Sequence, residues 1–128
     1  MKNVPELIVM LTHNDKTVPD AIEVFEKAQN SKAKYWGFKE VGIPEEQMRL
    51  LVEKMKAAGK TTFLEVVDYT EEGCVEGAKI GARCGFDVLM GTMYFDSVKK
   101  VADEAGMRYM PFVGQISGRP SVLEGTIE

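Results

Sequence analysis

The sequence has little of what most reactive centres are built from. It contains one histidine, His13, and two cysteines, Cys74 and Cys84, in 128 residues. One histidine cannot form a cluster, and no Cys, His or carboxylate run has metal-ligand spacing, so neither a metal nor a cofactor is expected. The cysteines fall ten apart in one predicted helix. A rise of 1.5 Å per residue separates their Cα atoms by ~15 Å, too far for a disulfide. Reduced core thiols are expected. Nucleotide signatures are missing as well: there is neither GxGxxG nor GxxxxGK[ST]. No apolar run approaches the ~20 residues of a membrane helix. "MKNVPEL" has no apolar signal core, which points to the cytoplasm and away from membranes. Lys and Arg number 16 against 20 Asp and Glu, a net charge of −4 with no basic cluster. Nucleic acid is therefore not an expected partner.

What is present is a repeating unit. Residues 1–128 suit a single α/β domain, long enough to bury ~65% of the unfolded surface. Five β-rich runs, "ELIVMLT", "YWGFKEV", "TTFLEVVD", "FDVLMGT" and "RYMPFVG", begin near 6, 35, 61, 86 and 108. Amphipathic segments separate them. "PDAIEVFEKAQ" puts Ile22, Phe25 and Ala28 on one face, and "PEEQMRLLVEKMKAAG" does so with Met48, Leu51, Val52 and Met55. "TEEGCVEGAKIGARCG" opens on Thr70 as N-cap, with acids in its first turn. "DSVKKVADEAG" aligns Val98, Val101 and Ala105. Gly59, Gly85 and Gly106 each close a helix just before a strand, as left-handed C-terminal glycines do. Strands alternating with helices predict a parallel sheet with right-handed crossovers, in the order βαβαβαβαβ.

The end of the chain then bears on architecture. "PSVLEG" has the Ser121-x-x-Glu124 spacing of a capping box, predicting a fifth helix with Val122, Leu123 and Ile127 facing the core. Its start could hold an anion. A flavodoxin-like three-layer sandwich needs that helix complete; a truncated (β/α)8 barrel does not. Charges inside the strands also favour a barrel with a polar mouth. Glu65 shares a face with Phe63, and Lys39 and Glu40 fall on opposite faces. The sandwich alternative fits a flavin or receiver motif poorly. "THNDKT" lacks glycine. Asp15 and Asp68 could serve a phosphorylated receiver, but "PFVGQISG" offers no lysine.

With "LTHNDKT", "WGFKEVG", "FLEVVD", "GTMY" and "PFVGQISGRPSVLEG" at successive strand ends, the chain resembles the N-terminal half of the ribulose-phosphate-binding (β/α)8 barrels. More closely, it is similar to uncharacterised bacterial barrel proteins of about twice this length, some labelled 4-hydroxythreonine-4-phosphate dehydrogenase. The resemblance implies that the chain covers half of such a fold, a half TIM-type barrel. The loops after the seventh and eighth strands, which grip phosphate in these barrels, would lie outside it. Activity of the half alone is then not expected. The single histidine departs from a dehydrogenase's multi-histidine metal site.

Candidate site residues are those at the C-terminal strand ends. Lys39 and Glu65 are the catalytic pair; His13, Asp15, Glu40, Asp68, Thr92 and Gln115 are substrate-binding. A mouth lysine beside carboxylates permits two chemistries on small (phospho)sugar-like or keto-acid substrates. Lys39 can form a Schiff base, or Glu65 can abstract a proton α to a carbonyl while Lys39 steadies the enolate. Both are aldolase, epimerase or decarboxylase reactions, hence a lyase or isomerase. Two alternatives stand beside this enzyme reading. One is a non-catalytic half-barrel that self-associates as a homodimer or higher homo-oligomer through its open edges. The other is a flavodoxin-like domain that binds a small ligand or signals at Asp68.

Overall fold

In a computed structural model the chain is described over residues 4–118 and 120–126. Strand β1 (Ile8–Met10) leads into a small hairpin, β2 (Thr12–His13) and β3 (Lys16–Thr17). Then follow α1 (Ala21–Ala28), β4 (Tyr35–Lys39), α2 (Glu45–Ala57), β5 (Thr61–Glu65) and α3 (Glu71–Cys84). β6 (Val88–Met90), α4 (Asp96–Glu104) and β7 (Arg108–Met110) complete the alternation, and a second hairpin, β8 (Gln115–Ser117) and β9 (Val122–Glu124), follows. The five strands expected from the sequence are β1, β4, β5, β6 and β7. They form one parallel sheet in that order, so spatial order follows chain order without a reversal.

The helices form where the pattern placed them, for the reasons it gave. The Thr70 hydroxyl accepts from the Gly73 amide at 3.1 Å and starts α3. Gly59, Gly85 and Gly106 have φ of 74°, 80° and 69°, the left-handed turn that releases the chain into the next strand. Cys74 and Cys84 are both buried, unbridged, in α3. One detail shifts in α4. The helix stops at Glu104, so Ala102 rather than Ala105 joins Val98 in the core, and Ala105 is exposed.

Side-chain alternation gives the sheet two unlike faces. Trp36, Phe38, Leu64, Val66 and Leu89 share one apolar cluster with Phe25 of α1, Leu51 and Met55 of α2, Ala78 of α3 and Val98 of α4. All four helices therefore pack on this face. The burial of Leu51, Met55, Leu64 and Leu89 is complete, worth about 1.5–3 kcal/mol per large side chain. The other face carries rows set by the register: Ile8, Tyr35 and Thr61; then Met10, Gly37, Phe63, Val88 and Arg108; then Lys39, Glu65, Met90 and Met110. Gly37 leaves room in the middle row: a Cβ there would lie 2.8 Å from the Met10 sulfur and 2.9 Å from the Phe63 Cβ. Phe63 and Val88 are buried yet stand outside the helix-side cluster. A cleft of about 290 Å³ on this face touches residues of all five strands, including Ile8, Tyr35, Thr61, Val88 and Met110.

The expected fifth helix does not form over the described residues. Val122–Glu124 is a strand, paired antiparallel with Gln115–Ser117. The Ser121 hydroxyl, instead of capping a helix, lies 3.1 Å from the Tyr69 hydroxyl, which also donates to the Gly118 carbonyl at 3.1 Å. The Ile116 amide donates to the Met93 sulfur at 3.4 Å. Tertiary contacts thus override the local capping signal, and the hairpin is tied to the loops after β5 and β6. Ser121 consequently offers no helix start for an anion. Ile127, expected in the same helix, lies outside the described residues.

At the opposite end of the sheet, Asp87 fastens β5. One carboxylate oxygen accepts from the Thr62 amide and hydroxyl, both at 2.8 Å, and the other pairs with Lys56 at 3.1 Å. Burial pushes the Asp87 carboxyl up, but these hydrogen bonds outweigh it and hold the group below the ordinary carboxylate range. A depressed folded value contributes stability above the unfolded pKa of about 3.9, lost as pH falls through the folded value. Asp87→Ala leaves the buried Thr62 amide without its acceptor and should cost about 1–3 kcal/mol at neutral pH. Denaturant melts at pH 7 and pH 2 should show that difference shrinking in acid.

Candidate functional site

The C-terminal end of β4 meets the β2–β3 hairpin. Asn14 and Asp15 form its two-residue tip, with φ of 48° and 64°, the positive pair of a type I′ turn. The hairpin is held to β4 by the Thr17 amide, which donates to the Val41 carbonyl at 2.9 Å, and by the Thr17 side chain. The buried Thr17 hydroxyl donates to the Lys39 carbonyl at 2.7 Å and accepts from the Lys39 amide at 2.9 Å. That clasp places the tip over the lysine.

Lys39 is only 8% exposed, although its side chain lies on the face away from the helices. A buried ammonium needs partners. Asp15 from the hairpin tip forms an ion pair with it, and a Glu65 carboxylate oxygen lies 3.9 Å away. Glu65 is the direct neighbour of Lys39 across the β4–β5 ladder. Gly91 makes space for it, since a Cβ there would stand 2.8 Å from the Glu65 Cγ. A cleft of about 380 Å³ opens on the Asp15 side of this cluster, lined by Asn14, Asp15, Lys39, Glu40 and Val67 among others; Glu65 stands behind Lys39 and does not line it.

Glu40 points to the other side of β4 and is partly buried. One carboxylate oxygen accepts from the Val67 amide at 3.2 Å; among the described residues the other is buried and has no hydrogen-bond partner. Burial raises the Glu40 carboxyl above its ordinary range, with the Glu65 charge adding to the effect. This is the one unsatisfied buried side-chain atom of the described structure, and it lies beside the cleft.

The remaining candidates do not converge on the lysine. His13 is exposed on β2 and does not line the cleft. Thr92 is fully buried, its hydroxyl 2.7 Å from that of Tyr109, in the packing between β6 and β7. Gln115 is exposed on the terminal hairpin, paired with Glu124. Asp68 accepts from the Thr70 amide and hydroxyl, both at 2.7 Å, and these bonds hold its carboxyl low. It organises the start of α3. Lys39, Glu65, Asp15 and Glu40 are thus brought together, while His13, Asp68, Thr92 and Gln115 are not.

Two contributors were missed in the sequence. Thr17 carried no signal, because its role depends on a contact with a residue 22 positions away. The hairpin did carry one: "THNDKT" places two residues tolerant of positive φ between short flanks. Among the described residues no group of three or more His, Cys, Asp and Glu is placed to hold a metal ion. None of their helices is long and apolar enough to cross a membrane. No protein-family model and no curated protein matches the chain.

Glu40 gives the site a pH signature opposite to that of Asp87. Its folded carboxyl binds its proton more tightly than the unfolded one, so stability declines as pH rises from about 4.3 through the folded value. Glu40→Gln removes the ionisation. Its melting temperature relative to wild type should therefore rise between pH 4 and pH 7, as read by circular dichroism. A difference independent of pH would show that Glu40 ionises as freely in the fold as in the unfolded chain.

Proposed function

We propose that the sheet is an arc of a (β/α)8-type barrel and that Lys39 and Glu65 form its reactive pair. Three observations support the arc. The helices cover one face, strand order never reverses, and one cleft reaches all five strands. A doubly wound sandwich would place helices on both faces and turn its strand order at a switch point. One cleft touching all five strands fits a sheet curved about its uncovered face. The uncovered face is then the barrel interior, and the ends of β4 and β5 belong to its mouth, where such barrels do their chemistry.

The observation that carries the functional reading is the buried Lys39 ammonium between the Asp15 and Glu65 carboxylates, beside a cleft of small-molecule size. This arrangement suits a lyase or isomerase acting on a small keto-acid or sugar-phosphate-like carbonyl compound. Glu65 takes the proton from the carbon α to the carbonyl. The electron pair of that C–H bond forms the enolate double bond, and the carbonyl oxygen becomes an oxyanion held by the Lys39 ammonium. Return of the proton to the opposite face completes epimerisation; attack of the enolate carbon on a second carbonyl, whose oxygen then takes a proton, completes aldol addition, and the reverse of that addition releases the same enolate. The enolate route uses the ion pair as it stands; a Schiff base would require Lys39 to leave Asp15.

The test is hydrogen exchange at carbon. Half a barrel is not expected to act alone, but Lys39, Glu65 and the cleft beside them all belong to this chain. Pyruvate, 2-oxobutyrate and dihydroxyacetone phosphate in deuterated water should therefore gain deuterium α to the carbonyl when the protein is added, as followed by proton NMR. Glu65→Gln should slow the exchange about 100-fold or more, and Lys39→Met should do likewise. Borohydride should trap no adduct on Lys39; a trapped adduct would assign the Schiff-base route instead. Exchange no faster than in buffer with all three compounds would overturn the catalytic reading.

A further inference from the structure

Beside the charged pair Lys39 and Glu65, the face that the helices leave bare carries an apolar band that crosses the sheet. Ile8, Tyr35, Phe63, Val88 and Met110 line its cleft. Val4 and Leu7 ahead of β1 and Val113 beyond β7 are strongly exposed as well. β1 and β7 are the edges, each with a neighbour on one side only among the described residues. An edge with free backbone donors and acceptors is a template for another strand. An apolar face that reaches both edges marks an interaction surface.

Charge identifies the partner. Glu6 stands at the β1 edge and Arg108 at the β7 edge, both lining the cleft. Arg108 is exposed and forms no ion pair among the described residues. We propose that a second copy of this chain covers the face, with the β1 edge of each copy against the β7 edge of the other. Glu6 of each copy then faces Arg108 of the other. A twofold axis along the strands keeps every strand parallel, so each edge extends the neighbouring ladder. Both edges of both copies are used and the assembly closes. The competing arrangement, β1 on β1 or β7 on β7, would make the meeting strands antiparallel and gather two Glu6 carboxylates at one seam and two Arg108 guanidiniums at another. Like charges gathered at a seam are unfavourable, so the edge charges favour the closed pairing. This inference does not depend on the chemistry assigned to Lys39.

Absolute mass by light scattering, from micromolar to millimolar protein at low salt, tests it. A dimer is expected. Glu6→Arg and Arg108→Glu should each weaken it about tenfold or more, and the exchanged pair E6R/R108E should recover most of the loss. Met110→Lys, on the same face, should also weaken it, and circular dichroism checks that each variant is folded. If a charge variant fails to fold, Met110→Lys and Ile8→Lys, both at residues that line the cleft, carry the comparison. A monomer at every concentration, a larger open-ended assembly, or a dimer indifferent to all of these substitutions would overturn the proposal. None of these results bears on carbon exchange by the wild-type chain, so the two readings fail separately.

Discussion

The packing of all four helices against one face of the sheet is the constraint from which the rest follows. Trp36, Phe38, Leu64, Val66 and Leu89 bury their side chains among the helices and supply the main core. Every second position in the strands is thereby released from that duty. Lys39 and Glu65 occupy released positions, and so do Tyr35, Phe63 and Met110. A sheet covered on both faces could not carry a lysine and a glutamate side by side near the middle of its strand order without burying both in a dry layer.

The lysine shows how such a position is made habitable. Its neighbours are not arranged by the sheet alone, since Asp15 arrives on a separate hairpin attached through the Thr17 hydroxyl and amide. Local turn geometry, one buried hydroxyl and the strand register together hold the ammonium among acids. Glu40, one residue further, shows the cost of the same crowding. It sits beside like charge with one oxygen unpaired, and burial drives its carboxyl toward the neutral form. Burial and hydrogen bonding compete at both Glu40 and Asp87: at Glu40 burial outweighs backbone amides and the Lys39 charge, whereas at Asp87 the Thr62 amide and hydroxyl with the Lys56 ammonium outweigh burial.

Much of this was legible in the sequence because it is written in periods. Alternation placed Glu65 on the face of Phe63, and helical spacing placed Met48, Leu51, Val52 and Met55 in the core. Glycine after each of three helices marked the strand starts, since a left-handed turn is a local demand. What failed was local signal overruled by distant contact. Ser121 and Glu124 have capping-box spacing, yet Ser121 meets Tyr69, a residue 52 positions away, and the segment becomes a strand. Thr92 and Gln115 stood at strand ends and looked available. The Tyr109 hydroxyl claims the first, and the terminal hairpin carries the second to the surface.

The methionines divide along the same boundary. Met48, Met55 and Met107 are sealed in the helix-side core, at 4% exposure or less. Met10, Met90 and Met110 point to the bare face and remain in reach of solvent. A mild oxidant therefore meets two populations of thioether in one small chain. Conversion to the sulfoxide would turn apolar side chains polar on the open face while leaving the core untouched. Sulfur chemistry thus reports which side of the sheet is covered, and any covering that shields Met110 slows that reaction without a single bond of the fold having changed.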